Sequence, residues 1–223
     1  MIKSVWRYIE DAEKEKLLIM APLLLLLTTY LVFSIAVKLV GLKPGYLIGF
    51  LFYWIAWCLV FPLWLLGKEA FFSMFRKVAN PLGRPKWLGA IFLFALPLFT
   101  LVYALPMQLP KATFLIIVLS LAIAIVNATC EEILWRGVYF KIFSSSTWWG
   151  YFYPAIWFGL WHYAPQSVLT SSYPGGAHSL VLFAVILGLM WGWVAWKTRS
   201  IRWVTLAHIM LDFSGLGALF YFS

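Results

Sequence analysis

The chain has 223 residues, of which 64% are hydrophobic, 20% aromatic and only 11% charged. A soluble domain carries roughly 25% charged residues, so this composition cannot build a water-facing surface, and a soluble enzyme is excluded. The net charge of +9 does not mark a nucleic-acid binder, because the basic residues sit between apolar runs, where membrane topology puts them.

Stretches of 19 or more residues without Asp, Glu, Lys or Arg recur, and about 20 apolar residues span a bilayer as a helix. The period-2 alternation of a membrane β-barrel is absent. The predicted fold is therefore all-α, a polytopic membrane helix bundle of about seven transmembrane helices, or eight if 164–177 forms a further piece. In chain order, residues 1–16 mix Lys3, Arg7, Lys14 and Lys16 with Glu10, Asp11, Glu13 and Glu15. They read as an amphipathic segment on the membrane surface with Val5, Trp6 and Ile9 inward. The apolar run that follows is too long for the core of a signal peptide, so no cleavable leader is expected. Spans follow at 17–40, 46–66 and 87–105, which make a unit of three accessory helices over 17–111. A four-helix core over 112–223 holds spans at 113–140, 148–163, 178–196 and 203–222. Cys58 and Cys130 lie inside apolar runs and imply no disulfide framework.

Counting Lys and Arg orients the bundle. One side holds the amino terminus, the loop with Lys68, Arg76, Lys77, Arg84 and Lys86, then Arg136 with Lys141, and the loop with Lys197, Arg199 and Arg202. That side carries 14 basic residues and the other, with Lys38, Lys43 and Lys111, carries 3. Such a bias puts the amino terminus in the cytoplasm and the carboxy terminus outside. The expected location is a prokaryotic cytoplasmic membrane.

Ionisable residues inside a bilayer cost about 2.5–3.5 kcal/mol each on insertion scales, so each one asks for a reason. Within the spans they are Glu131, Glu132, Arg136, His162, His208 and Asp212, all in the second half of the chain. Glu132 and Arg136 stand at i and i+4 and share a helix face, as do His208 and Asp212. Glu131 points about 100° away from Glu132, so it can face a cavity while its neighbour is neutralised. At about 1.5 Å per residue, Glu131 lies ~15 Å from Lys141, His208 ~9 Å and Asp212 ~15 Å from Arg202. His162 falls at a similar depth, so three helices can present one polar cluster in the middle of the membrane.

These residues form ordered motifs: EExxxR from Glu131 to Arg136, FxxxH from Phe158 to His162, and HxxxD from His208 to Asp212. In that order on successive helices they resemble the CPBP family of intramembrane proteases, which takes in CAAX-processing and bacteriocin-related proteins. Thr198-Arg199-Ser200 also looks like this family, where Thr-Gly-Ser is more usual. The resemblance covers roughly 112–215. It implies a peptide hydrolase in which Glu131 acts as general base and His162 helps to hold the water. It also implies that His208 and the residue four after it stabilise the oxyanion. That later residue is more often Asn. An ionised Asp212 cannot donate a hydrogen bond, so it would have to act protonated, hold His208 in one tautomer, or ligate a metal. Glu132, Arg136 and Phe158 would support the site.

No HExxH is present, and family precedent favours a metal-free glutamate mechanism without a cofactor. Zinc bound by Glu131, His162, His208 and Asp212 is the metalloprotease alternative. The expected substrate is a hydrophobic or lipid-anchored peptide, reached laterally or from the cytoplasm within the membrane lipid. Two other readings compete: a non-catalytic immunity or scaffold protein of the same fold, and a proton-coupled transporter. His178 reads as an interface histidine. Asn127-Ala128-Thr129 is a glycosylation sequon buried in a span and carries no expectation. Gly188 and Gly192 read as a close-packing pair, and Trp135, Trp157 and Trp161 as packing residues.

Overall fold

The computed structural model describes the backbone of residues 2–172 and 174–222 and the side chains of 12–172 and 174–222. Helix α1 runs Ile2–Val40 without a break, and Ala12–Val40 is its membrane-spanning part. The inward face expected at Val5, Trp6 and Ile9 lies outside the described side chains. Gly41, with φ at 89°, turns the chain directly into α2, Leu42–Leu66. An L side chain rarely adopts that backbone angle, and glycine adopts it freely. Helix α3 is Lys86–Lys111 and α4 is Phe114–Ile142. Thr113 caps α4, its hydroxyl accepting the Ile116 N–H at 3.3 Å and satisfying one orphan donor of the first turn. Helix α5 covers 148–161, α6 is Gly176–Thr198 and α7 is Arg202–Ser214. A turn and a short helix, Leu219–Phe222, extend α7 to the end of the described chain.

Among the described residues, six helices are long and apolar enough to cross a membrane. The remaining predicted span, α5, is present but short. At about 1.5 Å per residue it reaches roughly 21 Å against a hydrocarbon core of about 30 Å. It stops at His162, where the chain bends into the turn Tyr163–Gln166. The histidine therefore stands at a helix end within the bundle. The chain is a polytopic helical membrane protein, and large apolar side chains such as Leu24, Leu31, Val102 and Phe114 face outward, as lipid requires.

Helix α4 is the axis of the bundle. Every residue of 130–140 is buried. On one flank Leu134, Trp135 and Tyr139 pack with Leu18 of α1, Tyr53 of α2 and Phe158 and Trp161 of α5. On the other, Ile133 and Phe140 pack with Leu93 of α3, Leu187 and Trp191 of α6, and Val204 of α7. Polar atoms in this core are partnered across helices. The Trp135 indole N–H donates to the Tyr53 hydroxyl at 2.7 Å, and the Tyr139 hydroxyl donates to the Leu18 carbonyl at 3.1 Å. Both α4 and α2 widen into π-helix where they meet, over Ile133–Val138 and Tyr53–Val60.

Helices α5 and α6 approach backbone to backbone. A Cβ added to Gly188 would lie 2.8 Å from the Ala155 carbonyl oxygen, and one on Gly159 would lie 2.2 Å from Val185 Cγ2. The small-residue pair expected at Gly188 and Gly192 thus does serve close packing.

At the base of the bundle, where α2, α4 and α6 end, the loops are tied together. The Ile201 N–H donates to the Met74 carbonyl at 2.9 Å, the Ser200 hydroxyl to the Arg76 carbonyl at 2.8 Å, and Lys141 Nζ to the Ser73 hydroxyl at 2.7 Å. Arg199 closes α6 with φ at 56° and ψ at 34°. This left-handed conformation explains why glycine is the more usual residue there. The arginine side chain offsets the strain, because its guanidinium lies 3.6 Å above the Trp196 ring and donates to the Ser144 carbonyl at 2.7 Å.

Candidate active site

The three motifs converge on α4, α5 and α7. Glu131 and Glu132 are the last residues of the regular part of α4, and the widened segment after them carries Arg136. Both glutamates and Arg136 are buried. Glu132 Oε1 and Arg136 Nη1 are 3.1 Å apart, the pairing expected from their spacing. The same oxygen accepts His208 Nδ1–H at 2.9 Å. Glu132, not Asp212, is therefore the residue that orients the His208 ring. An ionised carboxylate only accepts, so Nδ1 carries the proton in that contact.

The other ring nitrogen of His208 faces two acids. Nε2 lies 3.6 Å from Glu131 Oε2 and 3.4 Å from Asp212 Oδ1. Glu131 and His208 are both almost fully buried, while the Asp212 side chain retains 25% exposure. One imidazole thus bridges all three carboxylates of the site, and Trp191 flanks it with ring centroids 4.8 Å apart.

Phe158 explains the aromatic position of FxxxH. Its carbonyl lies 2.7 Å from His162 Nδ1. A carbonyl only accepts, so that contact puts the His162 proton on Nδ1 and leaves Nε2 with its lone pair. Its ring carries the Arg136 guanidinium 4.1 Å above the centroid, meets His162 edge-on at 5.0 Å and meets His208 edge-on at 6.3 Å. The Arg136 charge is held by Glu132 and by this ring face, a cation–π contact strengthened by exclusion of water. His162 joins the cluster through Phe158. It is half-buried, and Trp161 packs against it at 4.9 Å.

The sequence reasoning passed over Asn127. Its Nδ2 donates to Asp212 Oδ2 at 2.9 Å, and its Oδ1 accepts the Trp54 indole N–H at 2.9 Å. The amide orientation follows from the chemistry at both ends, because an indole only donates and an ionised carboxylate only accepts. Asn127 stands four residues before Glu131, on the same face of α4. That spacing was the available signal, and it was set aside because the residue also begins a sequon. His178 lies away from this cluster, 2.7 Å from the Tyr163 hydroxyl through Nδ1, as an interface histidine would.

For the zinc alternative, among the described residues no three His, Cys, Asp or Glu side chains converge as a metal site would. His208 presents only Nε2 toward Glu131 and Asp212, since Glu132 takes Nδ1.

A cavity of about 400 Å³ reaches the cluster at Asp212 and Asn127, between α2, α4 and the chain after α7. Its walls include Tyr46, Phe50, Ile123 and Phe220. An apolar pocket with a few convergent polar groups is the usual form of a binding site.

Residues 112–214 match the family described as Rce1-like, type II CAAX prenyl endopeptidase Rce1-like. The match covers just under half of the chain, includes all three motifs, and agrees with the family they resemble. No curated protein and no solved structure matches the chain.

Proposed function

We propose that this membrane protein is an intramembrane endopeptidase of the glutamate type that hydrolyses a peptide bond in a hydrophobic or lipid-anchored substrate. One observation carries the reading: Glu131, His208 and Asp212 meet around a single imidazole nitrogen at the floor of an apolar cavity. Glu131 takes a proton from a water, and the resulting hydroxide attacks the peptide carbonyl carbon. The glutamic acid then returns that proton to the departing amide nitrogen, so the C–N bond breaks as a free amine and a carboxylate form. The 3.6 Å separation of Glu131 from His208 is too long for a good hydrogen bond and suits a bridging water. His162, with Nε2 free to accept, helps to hold that water.

His208 Nε2–H and Asn127 supply the oxyanion donors. Asn127 spends one N–H on Asp212 and keeps a second, so it provides the amide that the family more often places at position 212. Asp212 can then remain an acceptor that orients both donors, and this reading does not require it to carry a proton. Glu132, Arg136 and Phe158 are positioning residues: Glu132 sets the His208 tautomer, and Phe158 sets that of His162 while bearing the Arg136 charge. No step in this scheme calls on a metal.

The test compares wild type, Glu131→Gln and His208→Ala in detergent against a library of apolar and prenylated peptides, with and without a zinc chelator. The expected result is new peptide termini from wild type that survive chelation and vanish in both variants, with a loss of at least about 10³-fold. Chelator-sensitive cleavage, reversed by added zinc, would sink the glutamate mechanism. Undiminished cleavage by Glu131→Gln would remove Glu131 as the base.

A further inference from the structure

Resting on the protease reading above, we infer that the site is fed from the extracytoplasmic half of the bilayer. Its substrate is an apolar, membrane-proximal segment of a polypeptide displayed on that side. Two independent observations meet here, the distribution of charge and the side on which the site is open.

The open side is clear from the chain path. The cavity at Asp212 is lined by Tyr46 and Phe50 from the start of α2, Ser120 and Ile123 from the first half of α4, and Gly217 and Phe220 beyond α7. All lie toward the end of the bundle that holds the 41–43 and 112–113 connections. The Ala218 N–H donates to the Ser120 hydroxyl at 3.1 Å and fixes the carboxy-terminal turn as part of that wall. A second cavity of about 550 Å³ flanks α7 on its other face, between Thr100, Ser179 and Leu211, toward the same end.

The opposite side is sealed. From Glu131 to Phe140 no residue of α4 is exposed. The gap beneath the motifs, between Arg136, Phe140, Tyr151 and Trp196, has no room for a water molecule. Beyond it the loops are clasped through Met74, Arg76 and Ser144.

The sealed side is the one that carries 14 of the 17 Lys and Arg residues, and the open side carries Lys38, Lys43 and Lys111. The positive-inside bias assigns the sealed side to the cytoplasm. A cytoplasmic peptide would then face the tied loops and a packed core, whereas a tail emerging from the outer leaflet would meet the apolar mouth directly. The lining selects for apolar side chains, and Asn127 and Asp212 at the floor are placed to meet a peptide bond.

The experiment has three arms. First, Lys111→Cys on the open side and Ser144→Cys on the clasped side are probed with a membrane-impermeant maleimide, since native Cys58 and Cys130 are buried. We expect Lys111→Cys to label in sealed cells and Ser144→Cys to label only in inside-out vesicles. The reverse pattern overturns the inference. Second, one apolar reporter segment is fused to a single transmembrane anchor so that it lies on either side of the membrane. Cleavage of the outer reporter alone is expected. Cleavage of the inner one alone overturns the inference and leaves the protease reading standing, and cleavage of neither overturns both. Third, an added Cβ at Gly217 meets no atom within 4 Å, so Gly217→Trp fills the cavity without displacing the backbone. It should lower kcat/KM at least tenfold on the outer reporter with an unchanged thermal midpoint. Unchanged kcat/KM would show that this cavity is not the route.

Discussion

The pair Asn127 and Asp212 offers the sharpest test of how the oxyanion side of the site works. In Asn127→Asp two carboxylates would face each other at the 2.9 Å now spanned by a hydrogen bond. At an effective dielectric of about 20 their repulsion is about 6 kcal/mol, several times the roughly 1 kcal/mol that a hydrogen bond contributes. The variant also loses the spare amide N–H, and removal of one oxyanion donor typically costs about 10²–10³ in kcat. We therefore expect kcat/KM to fall at least about a hundredfold. Asp212→Asn alone leaves an acceptor for the Asn127 amide and should stay within about tenfold of wild type. The exchange Asn127→Asp with Asp212→Asn restores one amide facing one carboxylate, and the Trp54 indole can donate to the new carboxylate as it does to the amide. At least one decade of activity should return, a coupling of about 1.4 kcal/mol or more. The assay is kcat/KM on the cleaved reporter for all four proteins, with thermal midpoints in detergent as the folding control. Asn127→Asp within threefold of wild type, or an exchange variant no better than that single variant, would refute the reasoning.

Three further outcomes follow from the packing. Arg136→Met leaves Glu132 buried without its ion pair and should lower stability by about 3–5 kcal/mol; an unchanged thermal midpoint would mean that His208 alone suffices to hold Glu132. Gly188→Leu forces α5 away from α6 at the Ala155 contact and, by overpacking, should cost about 1–3 kcal/mol. It should also reduce turnover, because His162 moves with α5; wild-type turnover would show that His162 is not held by that contact. Arg199→Gly removes about 1–2 kcal/mol of left-handed strain but also loses the Trp196 and Ser144 contacts. Stability should stay within about 1 kcal/mol of wild type, and a loss beyond about 3 kcal/mol would show that these contacts dominate.

Most of the architecture was legible because a bilayer imposes length and composition on each span, and charge marks the intervals between them. The motif residues were legible because acids and histidines are costly in an apolar run, and their i to i+4 spacing survives folding. The length of α5 was less so. Its aromatic run continues into Tyr163, and composition alone does not show that the helix bends at His162. Asn127 was missed because an amide carries no charge to make it conspicuous and because a surface motif happened to overlap it. The role of Glu132 as orienter of His208 was out of reach. It depends on the rotation of α7 against α4, which periodicity on either helix alone does not set. The side of the opening also needed coordinates, since both halves of α4 read as equally apolar.

The paired π segments, Ile133–Val138 on α4 and Tyr53–Val60 on α2, carry a consequence for how insertions and deletions would act. A π turn accommodates an extra residue by shifting from i→i+4 to i→i+5 bonding. It thereby advances the angular phase of everything that follows by about 100° per residue absorbed. Upstream of Ile133, α4 aims Asn127 and Glu131 at the cavity; downstream, Trp135 and Tyr139 are aimed at α2 and α1. Loss of one residue from 133–138 could be absorbed by reverting to an ordinary α turn, which spares hydrophobicity and length yet rotates the acids out of register with the aromatics. Chain length through this stretch is therefore under tighter constraint than the identity of its apolar side chains, and a compensating change would be sought opposite it, in 53–60, where the other widened turn meets it.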